Sequence, residues 1–370
     1  MTPAETLSPI TSEDTPESGR RFLVLDGLRG VAAAAVILDH IPSVTLGPLI
    51  PGRYLAVDFF FVLSGFVLAH RYGAQLAGHG DDARLRPLSF LRIRVARLYP
   101  LYLAGLCVGG AFAAVNLAHG WMIGTPTQFA VVTLFSLAFL PTPPLFSWTG
   151  STLYPLNAPS WSLLFELIAN LAFALLAPVL GRRVLWALLA LAALGVGFGV
   201  LRQTVVGPGW LWPHFDAGLS RVLYGFFMGV AIHRARAWAP RLPAGLSVVL
   251  FVLVIAVPAV GVWRHLYDVA TALVLAPLLV FLSVNGEVRG AVAKLCGTLG
   301  SLSYGVYVLH APLGAFIGLA SAKLPFLHLH GVVQVLLAGG GAAGLTVVIE
   351  RMLHHLRRRR GGGPASRDVP

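Results

Sequence analysis

Apolar stretches of membrane-spanning length run through this chain almost end to end, and they leave few alternatives to a bundle of helices in a bilayer. Near-continuous apolar runs fall at about 23–42, 55–70, 98–118, 127–140, 159–180, 184–201, 216–233, 245–263, 267–284, 298–320 and 331–351. About 20 apolar residues cross ~30 Å of hydrocarbon as a helix, so most of these windows are long enough. Lipid offers no partner to a free backbone N–H or C=O, so each span must satisfy its backbone internally, as a helix does. Composition agrees, because only 11% of the 370 residues are charged, against about 25% in a soluble domain. The expected fold is an all-α polytopic membrane protein.

Charge placement sets the number of crossings. The net charge of +12 is no nucleic-acid footprint, because the arginines gather in the loops between apolar windows, as the positive-inside rule requires. Arg20 and Arg21, the loop from Arg71 to Arg97, Arg182 and Arg183, Arg234 to Arg241, Arg289 with Lys294, and Arg357 to Arg360 all fall on one side under one condition. The window at 127–140 must not cross. It is the shortest window, and the surrounding stretch 119–158 holds no Lys, Arg, Asp or Glu. The reading is therefore about ten transmembrane helices, both termini cytoplasmic, with a re-entrant or interfacial segment near 127–140. Residues 1–20, rich in Pro, Thr, Ser and Glu, read as a disordered tail without the features of a signal peptide. The membrane domain covers 21–352, and 353–370 reads as a basic, flexible tail. Cys107 and Cys296 carry neither disulfide nor zinc spacing, and no metal is expected.

Ionisable residues inside the spans come next, since a charge at membrane depth costs about 2.5–3.5 kcal/mol or more. Asp26, Arg29 and His40 share one face of the first helix, with Arg29 and His40 ~16 Å apart along the axis. Asp58 opens the second span, where it either caps the helix or serves function. Arg94 and Arg97 precede the third span at i, i+3, a spacing that suits either anchoring to headgroups or bidentate phosphate binding. Ser162, Glu166 and Asn170 repeat every four residues behind Trp161, and Tyr304, Tyr307 and His310 form a third polar stripe. Asp216 and Arg221 are further buried charges that suit a structural ion pair. No Walker A loop, GxSxG elbow or HExxH motif is present.

Taken in order, these elements resemble the membrane-bound acyltransferase-3 family over about residues 22–351. The arginine–ten–histidine pattern falls on Arg29 and His40, and an FFxxSG-like element on Asp58 to Phe66. Arginine-x-x-arginine before a proline falls on Arg94, Arg97 and Pro100. The tryptophan–serine helix with its acid falls on Trp161, Ser162 and Glu166, and SYxxYxxH on Ser303, Tyr304, Tyr307 and His310. Leu167 stands where many relatives carry a second acid, and no fused extracellular domain follows, as in the stand-alone members.

The resemblance implies an O-acyltransferase of a bacterial inner membrane. It would move an acyl group, acetyl in the simplest case, from acyl-CoA (acetyl-CoA) to a hydroxyl of a saccharide or lipid-linked glycan. Membrane lipids and polysaccharide-assembly proteins are the other expected partners. Arg29, Arg94 and Arg97 would hold the CoA phosphates. His40 would be the general base or part of an acyl relay, with Glu166 orienting it or binding the sugar. Asp58, Trp161, Ser162, Tyr304 and His310 would contact substrate, and Tyr304, Ser162 or Arg29 would stabilise the tetrahedral intermediate. The competing reading is a secondary transporter or flippase that uses Asp26, Arg29, His40 and Glu166 as a proton or substrate path. An idle structural subunit of an assembly complex is a third.

Overall fold

The computed structural model of the chain describes residues 21–41, 50–78, 84–202, 207–257, 261–324 and 329–360. The expected tail at 1–20 and the end of the second one, 361–370, lie outside the described residues. Every apolar window contains helix among the described residues. The helices are α1 (Leu23–His40), α2 (Ala56–Ala77), α3 (Pro87–Ala118), α4 (Pro126–Leu137), α5 (Ser160–Leu176) and α6 (Arg182–Leu201). They continue with α7 (Phe215–Ala235), α8 (Ala244–Ala256), α9 (Gly261–Ala270), α10 (Ala276–Ser283), α11 (Gly290–Lys323) and α12 (Gly331–Arg360). A π-helical turn, Thr271–Leu275, joins α9 and α10 into one rod.

Eight of these segments are long and apolar enough to cross a membrane. Two further helices would bring these to the ten expected. Helix α1 has the length but carries Asp26, Arg29 and Asp39, and α8 is 13 residues, ~20 Å, long. One boundary moves: α12 continues to Arg360, so 353–360 is helix and not flexible tail. The basic run contains good helix formers, and no glycine or proline interrupts it before Gly361.

The relative sense of the helices explains the short α4. Gly105 of α3 lies against Asn157, just ahead of α5, while Arg94 of α3 meets Glu166 of α5. Residue numbers therefore fall along α3 as they rise along α5, and the two helices are antiparallel. A complete crossing between them would have made them parallel. Helix α4, 12 residues and ~18 Å long, starts with a capping box in which Thr125 and Gln128 satisfy each other's backbone N–H. From Phe139, at φ +59°, the chain then turns back into the bundle, burying Leu153, Tyr154, Leu156 and Asn157. It descends until the Leu156 carbonyl rests on Gly109, where an added Cβ would sit 1.9 Å away. Gly109 lies nine residues, ~14 Å, short of the end of α3. Helix α5 thus starts well inside the bundle.

Two parallel helix pairs frame the centre. In the first, α1 runs beside α11, with Gly27 against Cys296, Gly30 against Leu299 and His40 against His310. In the second, α2 runs beside α7 at near-backbone contact. A Cβ on Gly65 would lie 1.9 Å from the Phe226 carbonyl oxygen, and one on Gly229 would lie 2.0 Å from that of Val62. Small residues that let helices approach so closely gain dispersion contacts, the main attraction between helices in lipid. Helix α2 is the most enclosed of the eight long apolar spans, and α12 the least.

Candidate functional site

The polar stripes of α1, α3, α5 and α11 meet, with one face of α2, in a column that has three tiers. Tyr304, Tyr307 and His310 mark the tiers along α11 at steps of ~4.5 Å.

The first tier is ionic. Arg94 is 6% exposed and donates through Nη2 to Glu166 Oε1 at 2.9 Å; the same oxygen accepts from Ser64 Oγ at 2.8 Å. With its amide turned to suit its neighbours, Asn170 accepts from Arg94 Nε at 3.3 Å. A guanidinium with its counter-ion and a second acceptor avoids the penalty of a lone buried charge. Arg29, from α1, interacts electrostatically with Arg94, Arg97 and Glu166. Its nearest anion is Asp26 at 3.7 Å, which also pairs with Arg21 at 3.2 Å. Arg97 is exposed. Tyr304 OH donates to the Leu98 carbonyl of α3 at 2.6 Å.

The middle tier is a hydroxyl pair. Ser162 Oγ lies 2.6 Å from Tyr307 OH and donates to the Pro159 carbonyl at 3.0 Å. Phe60 of α2 packs edge-on against the Tyr307 ring, centroids 5.5 Å apart.

The third tier is imidazole. His40 Nδ1 lies 3.0 Å from the Val36 carbonyl, and His310 Nδ1 lies 3.1 Å from that of Val306. A carbonyl oxygen can only accept, so Nδ1 carries a proton in each ring, and in the neutral imidazole the lone pair is then on Nε2. The rings meet edge to face at 4.8 Å between centroids. His40 is exposed, whereas His310 is fully buried with Nε2 unpartnered.

Several expectations change. Glu166 was expected beside His40 but bonds Arg94 and Ser64 in the ionic tier. Counting turns from a helix start at the bilayer face placed it too far outward, because the 138–159 segment descends before α5 begins. Asp58 is not open to a substrate. Arg221 of α7 bonds both its oxygens, at 3.0 Å and 2.7 Å, and each side chain is 3% exposed. Asp216, the expected partner of Arg221, pairs with Arg202 instead. Trp161 packs on Phe61 and Phe165 as a wall between α5 and α2. His310 is fully buried and its ring meets that of His40. Ser64 and Asn170 emerge as partners of the Glu166–Arg94 pair; Asn170 was visible in its stripe, and Ser64 is the serine of the FFxxSG-like element, whose spacing alone reads equally as a packing contact.

A family profile described as an acyltransferase domain matches residues 22–351. Acyltransferase MdmB of Streptomyces mycarofaciens is 28% identical over 330 residues, 78% of this chain and 78% of its own length. A Rhizobium radiobacter protein described as protein 2 in picA locus is 38% identical over 177 residues, 44% of this chain and 84% of that protein. No solved structure is a significant match. Nearly the whole chain is thus covered by one family, its five motif elements fall within the matched region, and all five contribute residues to the polar column: the protein belongs to the acyltransferase-3 family and is a multi-pass membrane acyltransferase.

Proposed function

We propose that the protein transfers an acyl group, acetyl in the simplest case, from acyl-CoA to a hydroxyl of a saccharide or lipid-linked glycan, with His40 as general base. The observation that carries this reading is the state of the His40 ring. Its Nδ1–H is held by the Val36 carbonyl, so Nε2 is the basic nitrogen of the neutral ring, on an exposed side chain at one end of the column. Imidazole is matched to proton abstraction near neutral pH. The acceptor O–H gives its proton to Nε2 as its oxygen attacks the thioester carbonyl. The C–S bond then breaks, and the proton passes to the leaving thiolate, giving ester and free thiol.

Donor phosphates fit the other end of the column. Arg94 is buried and neutralised by Glu166, so the guanidiniums left for a phosphate are those of Arg97, which is exposed, and Arg29, which is partly exposed and 3.7 Å from Asp26. Glu166 acts here as a positioning residue for Arg94, not for His40. With the arginine-rich loops on the cytoplasmic side of a bacterial inner membrane, both termini are cytoplasmic and the His40 end faces outward. Acceptor and donor then approach from opposite sides, which accounts for an elongated polar column.

The test uses full-length protein in nanodiscs, acetyl-CoA as donor and a panel of monosaccharide acceptors, with free thiol and ester mass as readouts. Wild type should release thiol and form ester. His40→Ala should abolish both, and Arg29→Ala should raise the KM for acetyl-CoA. Full ester formation by His40→Ala would overturn the assignment, and saccharide movement without thiol release would favour the transport reading.

A further inference from the structure

Besides Ser64, which donates to the Glu166 carboxylate at 2.8 Å, the column contains three hydroxyls whose hydrogen bonds differ in a way that assigns a role to Tyr307. Tyr304 donates to a backbone carbonyl of a neighbouring helix, Leu98 of α3, at 2.6 Å. Ser162 donates to a backbone carbonyl one turn back, that of Pro159, at 3.0 Å. Each proton supports helix structure and has a strong acceptor. Tyr307 OH lies 2.6 Å from Ser162 Oγ and 3.5 Å from the Pro159 carbonyl. Since the Ser162 proton is engaged, the phenol proton lies on the serine oxygen, a neutral hydroxyl and the weakest acceptor of the three. A developing oxyanion would accept that proton far better. Re-aiming the phenol would leave Ser162 still bonded to Pro159, with no buried group stripped of its only partner.

Position points the same way. If His40 takes the acceptor proton, the carbonyl under attack lies within bonding reach of the oxygen His40 activates, near the imidazole tier. Tyr307 is one turn, ~4.5 Å, from His310 along α11, and its ring centroid is 6.1 Å from that of His310, which meets the His40 ring edge to face. The Tyr304 level belongs to the arginines. Phe60, edge-on to the Tyr307 ring at 5.5 Å, holds the phenol's plane. A low-dielectric surrounding makes an oriented donor most effective on a developing charge.

We infer that Tyr307 is a catalytic residue, the hydrogen-bond donor to the oxyanion of the tetrahedral intermediate. The inference rests on the acyl-transfer reading above. A purely structural view makes the Ser162–Tyr307 bond a cross-link between α5 and α11, and two variants separate the alternatives. Tyr307→Phe keeps the ring packing and removes the donor, whereas Ser162→Ala breaks the same cross-link and leaves the phenol proton. Both are made in the full chain in nanodiscs and assayed for thiol release from acetyl-CoA and for thermal stability. Loss of one oxyanion donor lowers kcat by about 10²–10³-fold. Tyr307→Phe should therefore fall by that factor with KM for acetyl-CoA unchanged, and Ser162→Ala by no more than about tenfold at the same stability. Equal losses in both variants, or a Tyr307→Phe enzyme near wild-type kcat, would overturn the inference while leaving the role of His40 intact. Absence of thiol release by wild type with every acceptor would remove the acyl-CoA reading and this inference with it.

Discussion

Arg221 and Asp58 form the most enclosed ion pair among the described residues, and breaking it should separate a structural role from a functional one. The guanidinium makes two bonds to the carboxylate, at 3.0 Å and 2.7 Å, and a third, from Nη1 to the Pro208 carbonyl, at 2.6 Å. Removing one member of such a pair costs about 3–5 kcal/mol, because the other is left as an uncompensated buried charge. The two single substitutions should not be equal. Asp58→Ala leaves a guanidinium that cannot lose its proton, so the full ~3–5 kcal/mol applies. Arg221→Ala leaves a carboxylate that can take up a proton, which limits the loss to about 1–3 kcal/mol, the cost of an unsatisfied polar group.

Replacing both residues with apolar side chains of similar volume, Asp58→Leu with Arg221→Met, should cost less than Asp58→Ala alone, since buried pairs are often nearly neutral against apolar packing. The assay is SDS-driven unfolding in mixed micelles for the single and double variants, run as a double-mutant cycle. Acyl transfer is measured on the folded fraction of Asp58→Asn, where KM for the acceptor should equal that of wild type. A stable Asp58→Ala protein would refute the structural role. So would a well-folded Asp58→Asn protein with a raised acceptor KM, which would return Asp58 to the substrate site.

Two further outcomes follow from the packing. Gly65→Ala places a methyl 1.9 Å from the Phe226 carbonyl oxygen, so α2 and α7 must separate along their length; the folded yield on size exclusion should collapse, whereas Gly73→Ala, with open space around it, should match wild type. In a background lacking Cys107 and Cys296, cysteines placed at His119 and Thr149, both exposed, should react with a membrane-impermeant maleimide from the same side. Labelling from opposite sides would make α4 a full crossing.

Much of the fold was legible because hydrophobicity and helix period are local properties. The apolar windows became helices, and the absence of charge in 119–158, with the arginine pair at 182 and 183, exposed the segment that does not cross. The face shared by Arg29 and His40, the stripe Ser162–Glu166–Asn170 and the stripe Tyr304–Tyr307–His310 could likewise be read from spacing. What spacing cannot supply is the identity of the opposing face. Nothing near Asp58 in sequence points to Arg221, 163 positions away, and nothing near His40 points to His310.

Depth was the other unknown. Glu166 joined Arg94 and not His40 because the 138–159 segment folds into the bundle before α5 begins, shifting the whole helix relative to its neighbours. The sequence alone therefore determined which segments are helical, which faces are polar and that the chain is a polytopic bundle. Only the tertiary structure decided which polar faces meet and at what height, because helix period is a property of one segment while register between helices is set by the packing of many.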